Sequence, residues 1–304
     1  MPTNQHPLLP AVIERITSAD PKLGVRIQSF VAGAAPVFHQ RAEEFFRRYQ
    51  IFMESQGGSI EFGIDCFLRL QRSVEQQRID FLSSGKYENT SFAEVVRNVY
   101  SNPEVMQDHM HGLVFAQFFW PDQYHRFEFF SDLLGHCGGG VQRYLEIGGG
   151  HALYVTEAVR SLPEAAIIDL VDISETSLQM AKGIAAESRI RYHLMDIFDF
   201  PDGQYDFVTM GEVLEHVERP QDLLSKVGRL LTSGGRAYIT TPANAPMRDH
   251  IYLFRNAQEI RDMFHSCGFH IEQETSRYAV DVHPRLAERM KLPLMYAALL
   301  SRSR

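Results

Sequence analysis

A glycine-rich turn between a short apolar run and a helical pattern constrains this chain more than any other feature. The apolar run ends at Ile147, Gly148-Gly149-Gly150 follow, and the helical pattern begins near Leu153. Glycine adopts the left-handed backbone conformation without steric cost and lets the backbone approach a ligand closely. A strand that enters a helix through such a turn is typical of open parallel sheets that bind a ligand at the carboxyl ends of their strands.

The second half of the chain continues this alternation of strand and helix. We predict strands at 144–147, 166–171, 190–194, 207–210, 236–240 and 269–273, and helices at 153–161, 177–186, 221–231 and 257–265. Short β-rich runs that alternate with helices predict an α/β fold, in which a doubly wound, mostly parallel sheet is covered on both faces.

The first half shows helical periodicity and little strand signal. Its stretch 114–134 is rich in aromatic rings at helical spacing, which predicts a buried core. Three glycines at 138–140 end this half, because they cannot continue a helix cheaply. We therefore predict a helical lid and acceptor-binding domain at 1–140, a catalytic domain at 141–283 and a helical tail at 284–304.

The amino-acid composition limits the classes of partner that we expect the chain to bind. Its 304 residues carry 30 Lys+Arg against 38 Asp+Glu, a formal net charge of −8, which disfavours a nucleic-acid partner. Three scattered cysteines offer no disulfide framework. The first six residues show no signal-peptide pattern, and no apolar stretch approaches the roughly 20 residues of a membrane span. We expect a cytoplasmic protein with no nucleic-acid and no membrane partner, and a homodimer is one option for its oligomeric state.

The glycine turn carries a more specific pattern. An acidic-x-Gly-x-Gly-x-small motif is formed by Glu146, Gly148, Gly150 and Ala152. A dinucleotide fingerprint would need a third glycine where Leu153 stands. The motif resembles that of the class I S-adenosylmethionine-dependent methyltransferases, and the resemblance covers roughly residues 141–280. It implies a seven-stranded Rossmann-like sheet and S-adenosylmethionine as the cofactor.

The same resemblance implies which residues bind the cofactor. Asp172 stands where the family places the carboxylate for the ribose hydroxyls, and Asp196 where an acidic side chain holds the adenine amino group. The full set that it implies is Glu146, Gly148, Gly149, Gly150, Asp172, Ile173, Asp196, Ile197 and Gly211.

A second group of candidate residues follows the predicted fourth strand. If a helix begins near Glu212, then Glu212, Glu215 and His216 share one face of its first turn. His250 lies in the loop after the fifth strand, which opens on the same cleft. These four residues are candidate ligands of a divalent metal such as Mg, Mn, Fe or Zn. The combination resembles the metal-dependent small-RNA 2′-O-methyltransferases and the ubiquinone-pathway O-methyltransferases, although the acidic charge disfavours RNA as the acceptor.

Several functions remain open at this point. A metal would chelate two acceptor oxygens, for O-methylation of a diol or phenol or for C-methylation of an α-keto acid enolate. Without a metal, His216 or His250 would be the general base of an N- or O-methyltransferase, so Glu212, His216 and His250 are the candidate catalytic residues. A catalytically silent, cofactor-binding regulatory subunit is the non-enzyme alternative.

Other histidines are weaker candidates. We assign Asp108, His109 and His111 to a solvated helix face, while His125 and His283 are secondary candidates for contact with the acceptor.

Overall fold

The structure is a computed structural model that describes residues 7–303. Residues 1–6, for which we predicted no signal peptide, lie outside the described residues, as does Arg304. No helix within 7–303 combines the length and the hydropathy needed to cross a bilayer.

Helices fill the first half of the chain and alternate with strands in the second. The helices are α1 (Leu8–Ala19), α2 (Pro21–Ala32), α3 (Pro36–Ser55), α4 (Ile60–Ser84), α5 (Phe92–Val95), α6 (Pro103–Phe119), α7 (Pro121–Cys137), α8 (Leu153–Ser161), α9 (Glu175–Ala185), α10 (Pro220–Leu230), α11 (Ala257–Ser266) and α12 (Pro284–Arg289). A π-helical turn at Val96–Tyr100 follows α5. We call the helical region α1–α7 the cap.

The second half forms one sheet of seven strands. They are β1 (Arg143–Ile147), β2 (Ile167–Asp172), β3 (Ile190–Leu194), β4 (Tyr205–Gly211), β5 (Leu231–Ala243), β6 (Phe269–Tyr278) and β7 (Leu294–Arg302). The order is β3-β2-β1-β4-β5-β7-β6, with β1–β5 parallel and β7 antiparallel to β5 and β6. The predicted doubly wound, mostly parallel sheet with a helical N-terminal region is confirmed. Its strand order reverses between β1 and β4, where open α/β sheets bind ligands.

The predicted helical tail at 284–304 is wrong beyond its first turns. Only Pro284–Arg289 is helical, and Leu294–Arg302 is β7, inserted between β5 and β6. The residues from Leu294 to Leu300 are buried without alternation. A continuous apolar run of that length does not separate a buried strand from a helix in sequence. The sheet therefore extends past residue 283, the predicted end of the catalytic domain.

One apolar core joins the cap to the sheet. The ring of Phe130 on α7 lies 4.9 Å from that of Tyr154 on α8 and 5.0 Å from that of Tyr238 on β5. Arg48 on α3 donates to the carbonyl of Ala185 at the end of α9, at 2.9 Å. Trp120 and Phe129 of the predicted aromatic core are half-buried against it, and the other six aromatic residues are buried: Phe115, Phe118, Phe119, Tyr124, Phe127 and Phe130. The cap is therefore packed on the sheet rather than tethered to it.

Shortening a buried side chain of β7 tests the position of this strand in the sheet. Leu300 is fully buried and pairs with Ala237 of β5 and Ile271 of β6. We expect Leu300→Ala to lower the free energy of unfolding in urea by about 2–5 kcal/mol, since it leaves a cavity. Leu286→Ala on α12, whose side chain is 45% exposed, is the matched control and should change it by less than about 0.5 kcal/mol. Equal effects of the two changes would contradict this place for β7.

Candidate active site

The glycine turn forms the floor of the candidate site. Gly148 has a φ of +72°, which favours glycine. At Gly149 a Cβ atom would lie 2.3 Å from Cδ1 of Leu170 on β2, so no side chain fits there. Ala152 also has a positive φ, of 65°, at the position where the methyltransferase motif often has a third glycine. The turn thus leads β1 into α8 with bare backbone facing the ligand side.

A cleft of about 980 Å³ opens above this turn. It is lined by every residue that the sequence assigned to the cofactor: Glu146, Gly148, Gly149, Gly150, Asp172, Ile173, Asp196, Ile197 and Gly211. Ligand pockets measure roughly 300–1,000 Å³, so this cleft has room for two small molecules at once.

Three carboxylates stand near the carboxyl ends of β1, β2 and β3. Glu146 is buried and accepts a hydrogen bond from the hydroxyl of Tyr144 at 3.0 Å. Asp172 accepts from the Ser174 backbone N–H at 2.8 Å, and Asp196 accepts from that of Phe198 at 2.9 Å. These bonds fix two of the side chains at the turns where their strands end. Burial raises the pKa of Asp172 and raises that of Glu146 to about 8.

The loop after β4 differs from the prediction. No α-helix begins near Glu212; a short 3₁₀ turn covers Leu214–His216, and α10 starts only at Pro220. Glu212 has a positive φ of 57°, and its backbone N–H donates to the carbonyl of Thr240 on β5 at 3.2 Å. The backbone therefore remains paired with β5 at the point where a helix would have started.

Glu212 therefore has different partners from the other three predicted ligands. Its Oε1 accepts from the Thr240 hydroxyl at 2.8 Å and forms an ion pair with the buried guanidinium of Arg126 from α7. Among the described residues, the group able to hold a metal is Glu215, His216 and His250, without Glu212. The predicted helix face shared by Glu212, Glu215 and His216 is wrong, and a role of Glu212 as a metal ligand stays a prediction. Glu212 lines the cleft as a partner of Arg126.

Glu215, His216 and His250 converge on one point. Their ligand atoms all lie within 4.8 Å of one another, and Oε1 of Glu215 is 3.9 Å from Nε2 of each histidine. Glu215 is fully buried; its Oε2 accepts from the hydroxyl of Thr241 at 2.9 Å, while no group within 7–303 hydrogen-bonds its Oε1. An orphaned buried carboxylate oxygen between two imidazoles is the feature that a bound cation would satisfy.

Backbone carbonyls fix the tautomer of both imidazoles. Nδ1 of His216 donates to the carbonyl of Asp249 at 2.8 Å, and Nδ1 of His250 donates to that of Ala245 at 2.7 Å. A carbonyl can only accept, so Nδ1 carries the proton and Nε2 keeps its lone pair. Metal-binding histidines are held in this way.

Burial and charge act differently on the three groups. Burial raises the pKa of Glu215 to about 8, with a contribution from Glu212, and lowers that of His250 to about 4. Burial alone would also lower the pKa of His216, but the carboxylates of Asp249 and Glu215 outweigh it and the pKa is raised.

Two residues of the site were not identified from the sequence. His109 on α6 places Nε2 at 3.1 Å from Oδ2 of the buried Asp249, and both residues line the cleft. The expected solvated face for Asp108, His109 and His111 is wrong for the two histidines, since His111 contacts the Tyr49 hydroxyl at 2.8 Å inside the cap. The sequence carried a signal against a solvated face, because the apolar residues of α6 are not confined to one side, and Met110, Gly112 and residues 114–119 are buried.

The secondary histidine candidates lie elsewhere. Nε2 of His125 contacts Thr275 on β6 at 2.8 Å, and His283 accepts from the backbone of Arg285 as the N-cap of α12. Neither is among the residues that line the cleft.

The cleft is acidic, with apolar patches supplied by the cap. One arginine, Arg219, and no lysine is found among its lining residues within 7–303, against seven carboxylates. The carboxylates are Glu146, Asp172, Asp196, Glu212, Glu218, Asp222 and Asp249. The cap contributes Phe92, Val96, Tyr100, Met106, Met110 and Leu113. The cleft therefore favours a cationic or neutral ligand over an anion.

Comparison with known proteins finds similarities to the region that contains the glycine turn. Residues 145–239 match the family described as "Methyltransferase domain". The chain is 28% identical over 153 residues to a ubiquinone biosynthesis O-methyltransferase of Coxiella burnetii, covering 47% of this chain and 62% of that protein. It is 29% identical over 121 residues to the protein of that name from Bordetella avium, covering 38% and 48%. The chain thus spans about half to three-fifths of the length of these relatives.

A solved structure shares the fold. The mitomycin 7-O-methyltransferase MmcR superimposes with a TM-score of 0.52 at 12% identity, covering 76% of this chain and 68% of that one. At that identity the likeness concerns the fold alone. The chain has an α/β, Rossmann-like methyltransferase fold.

The buried carboxyl of Glu146 predicts a pH dependence of stability. Burial raises its pKa from an ordinary value of 4.5 to about 8, so the folded protein binds this proton more tightly than the unfolded chain. The stability that it contributes is complete below the unfolded pKa and is lost as the pH rises through about 8. Between about pH 5 and pH 8.5, the wild type should therefore lose more unfolding free energy in urea than Glu146→Gln, by more than about 1 kcal/mol. Parallel pH profiles would show that Glu146 ionises normally.

Proposed function

We propose that this protein is an S-adenosylmethionine-dependent methyltransferase that methylates an oxygen of a small, neutral acceptor held by a divalent metal at Glu215, His216 and His250. One observation carries the proposal: the orphaned Oε1 of Glu215 and two imidazole Nε2 atoms converge in the loops that border the cleft of the glycine turn. The Coxiella burnetii and Bordetella avium relatives are named ubiquinone biosynthesis O-methyltransferase, which supports an oxygen acceptor.

The described residues suit the methyl donor. The bare backbone of Gly148–Gly150 leaves space next to β1, and Asp172 and Asp196 hold carboxylates on the cleft wall for ribose and adenine, as the family resemblance assigns them. A sulfonium is cationic, and the excess of carboxylates in the cleft favours a cation. The donor would therefore lie between the turn and the ends of β2 and β3.

The residues at Glu215 also suit a metal. Two histidines and one carboxylate, with positions left open, form the ligand type found for zinc and non-haem iron. Both histidines are held by backbone carbonyls in the tautomer that leaves Nε2 free. When bound, a divalent ion supplies a Lewis acid that lowers the pKa of a coordinated hydroxyl.

The charge of the cleft distinguishes between the two classes of acceptor, a diol or phenol and an α-keto acid. An α-keto acid would add an anion to a cleft in which carboxylates still outnumber the one lining arginine when Glu146, with a pKa of about 8, and Glu212, paired with Arg126, are set aside. A neutral diol or phenol avoids this repulsion, and its carbon skeleton would pack against apolar side chains of the cap such as Val96, Met106 and Leu113. O-methylation of a diol or phenol is therefore favoured over C-methylation of an enolate.

The task of the chain in this reaction is alignment. Methyl transfer from a sulfonium is an in-line displacement by an already activated donor, and positioning alone contributes several kcal/mol. The turn after β1 binds the donor, and the loops after β4 and β5 hold the acceptor. Residues Phe92, Val96 and Tyr100 of the cap line the cleft above them and limit the access of water.

The alternatives are supported less well. A metal-independent enzyme would use His216 or His250 as the base, yet each imidazole has Nδ1 tied to a carbonyl and Nε2 facing Glu215. A silent regulatory subunit would have no need of this arrangement. A small-molecule partner without nucleic acid or membrane is part of the proposal, while the cytoplasmic location and the homodimer stay predictions.

Removing the carboxylate of Asp172 tests the donor site. We expect Asp172→Ala to weaken S-adenosylmethionine binding in titration calorimetry by about 10- to 100-fold, because a hydrogen bond to a charged group contributes about 1.5–3 kcal/mol. Asp199→Ala, an exposed carboxylate outside the cleft, should leave the affinity unchanged. Equal affinities of wild type and Asp172→Ala would show that the donor does not bind at this carboxylate.

Measuring the metal content tests the proposed metal site at Glu215, His216 and His250. After equilibration with Zn²⁺ or Mn²⁺, mass spectrometry of the purified protein should find about one ion per chain. Loss of an outer hydrogen-bond partner of a metal ligand weakens metal binding roughly 10- to 100-fold, and His250→Ala should weaken binding of the ion by more than this. His265→Ala, on the surface of α11, is the control and should leave binding of the ion unchanged. Full methyl transfer by metal-free protein would refute the metal and leave the methyltransferase assignment standing.

A further inference from the structure

A hydroxyl acceptor must lose a proton, and the candidate metal ligands are badly placed to take it. His216 and His250 use Nδ1–H to donate to backbone carbonyls, and Nε2 of each lies 3.9 Å from Oε1 of Glu215. An imidazole that binds a metal through Nε2 and donates through Nδ1 has no nitrogen left for a proton. The proton acceptor must therefore be another group of the cleft.

Three further histidines line the cleft, and two of them are part of its framework. Nδ1 of His111 contacts the hydroxyl of Tyr49, and His151 lies within the glycine turn, where burial lowers its pKa to about 4. His109 differs from both. Its side chain is 17% exposed, and Nε2 lies 3.1 Å from a carboxylate oxygen of Asp249, whose side chain is 4% exposed.

We propose that His109 is the general base of the methyl transfer and that Asp249 is the residue that positions it. The inference rests on the proposed function, because it assigns a proton acceptor to that reaction. Nothing in the family motif points to His109, which is supplied by α6 of the cap, while Asp249 belongs to the loop after β5.

The geometry supports this role in two ways. A carboxylate only accepts, so Asp249 favours the tautomer of His109 that carries its proton on Nε2 and keeps a lone pair on Nδ1. No hydrogen bond from residues 7–303 occupies that Nδ1 atom. Oδ2 of Asp249 also lies 3.6 Å from Nδ1 of His216. One carboxylate thus adjoins both the base and a candidate metal ligand, which places the base near the acceptor oxygen.

The step balances in atoms and charge. The acceptor O–H bond breaks and its proton passes to Nδ1 of His109, while the oxygen forms a bond to the methyl carbon of S-adenosylmethionine. The bond from that carbon to sulfur breaks, and its electron pair stays on sulfur, so the cationic sulfonium becomes a neutral thioether. The imidazolium is stabilised by Asp249, as in other carboxylate–imidazole pairs, and releases its proton to water.

Two catechols of different acidity test the base. With S-adenosylmethionine and Mn²⁺, His109→Gln should lower kcat for 4-methylcatechol by about 10²- to 10⁴-fold. The loss should be less than about tenfold for the more acidic 4-nitrocatechol, which ionises without help. Donor affinity and melting temperature should stay at the wild-type values. His136→Gln, on the exposed end of α7, is the matched control. An equal loss with both catechols, or no loss, would overturn the role of base.

A second measurement does not depend on turnover. Two-bond ¹H–¹⁵N spectra of histidine-labelled protein should show the Nε2–H tautomer for the neutral imidazole of His109. The Nδ1–H tautomer would overturn the proposal. If the wild type methylates neither catechol, the acceptor class under the proposed function is wrong, and the tautomer alone decides the assignment of His109.

Discussion

The buried carboxylate of Glu215 is the constraint around which the candidate site is arranged. Removing a charged carboxylate from water costs several kcal/mol unless partners compensate. Thr241 of β5 donates to one carboxylate oxygen. The backbone N–H groups of Ile251 and Tyr252, in the loop after β5, donate to the backbone carbonyl of Glu215 and so hold the two loops together. The same loop brings His250 beside His216. Only Oε1 lacks a partner within 7–303, and it faces both imidazoles.

The cap covers the cleft and also contributes side chains to the candidate active site. Because a continuous core joins it to the sheet, helices α6 and α7 hold their side chains in fixed relation to the strand ends. Arg126 of α7 reaches Glu212 after β4, and His109 of α6 reaches Asp249 after β5. Both contacts join a cap helix to a loop at the carboxyl ends of the strands. The acceptor half of the cleft is therefore assembled from two parts of the chain that are far apart in sequence.

This separation explains how much the sequence could predict. The turn at 148–150 was predicted because glycine conformation is a local signal, whereas Asp172 and Asp196 followed from the family resemblance. The α/β fold followed from the alternation of strands and helices. The place of Glu212 was missed because a positive φ and an ion pair with Arg126, 86 residues away, leave no local pattern. The strand β7 was taken for a helix, because a run buried on both faces shows no alternation. The contact of His109 with Asp249 depends on tertiary packing alone.

Anomalous diffraction from crystals grown with Zn²⁺ and the demethylated product of the donor tests the central claim most directly. The account predicts one strong zinc peak within roughly 2.0–2.2 Å of Nε2 of His216, Nε2 of His250 and Oε1 of Glu215, with Glu212 still paired to Arg126. It also predicts product density along the turn at 148–150. A zinc-free site beside bound product, or a peak coordinated by Glu212 instead, would contradict it.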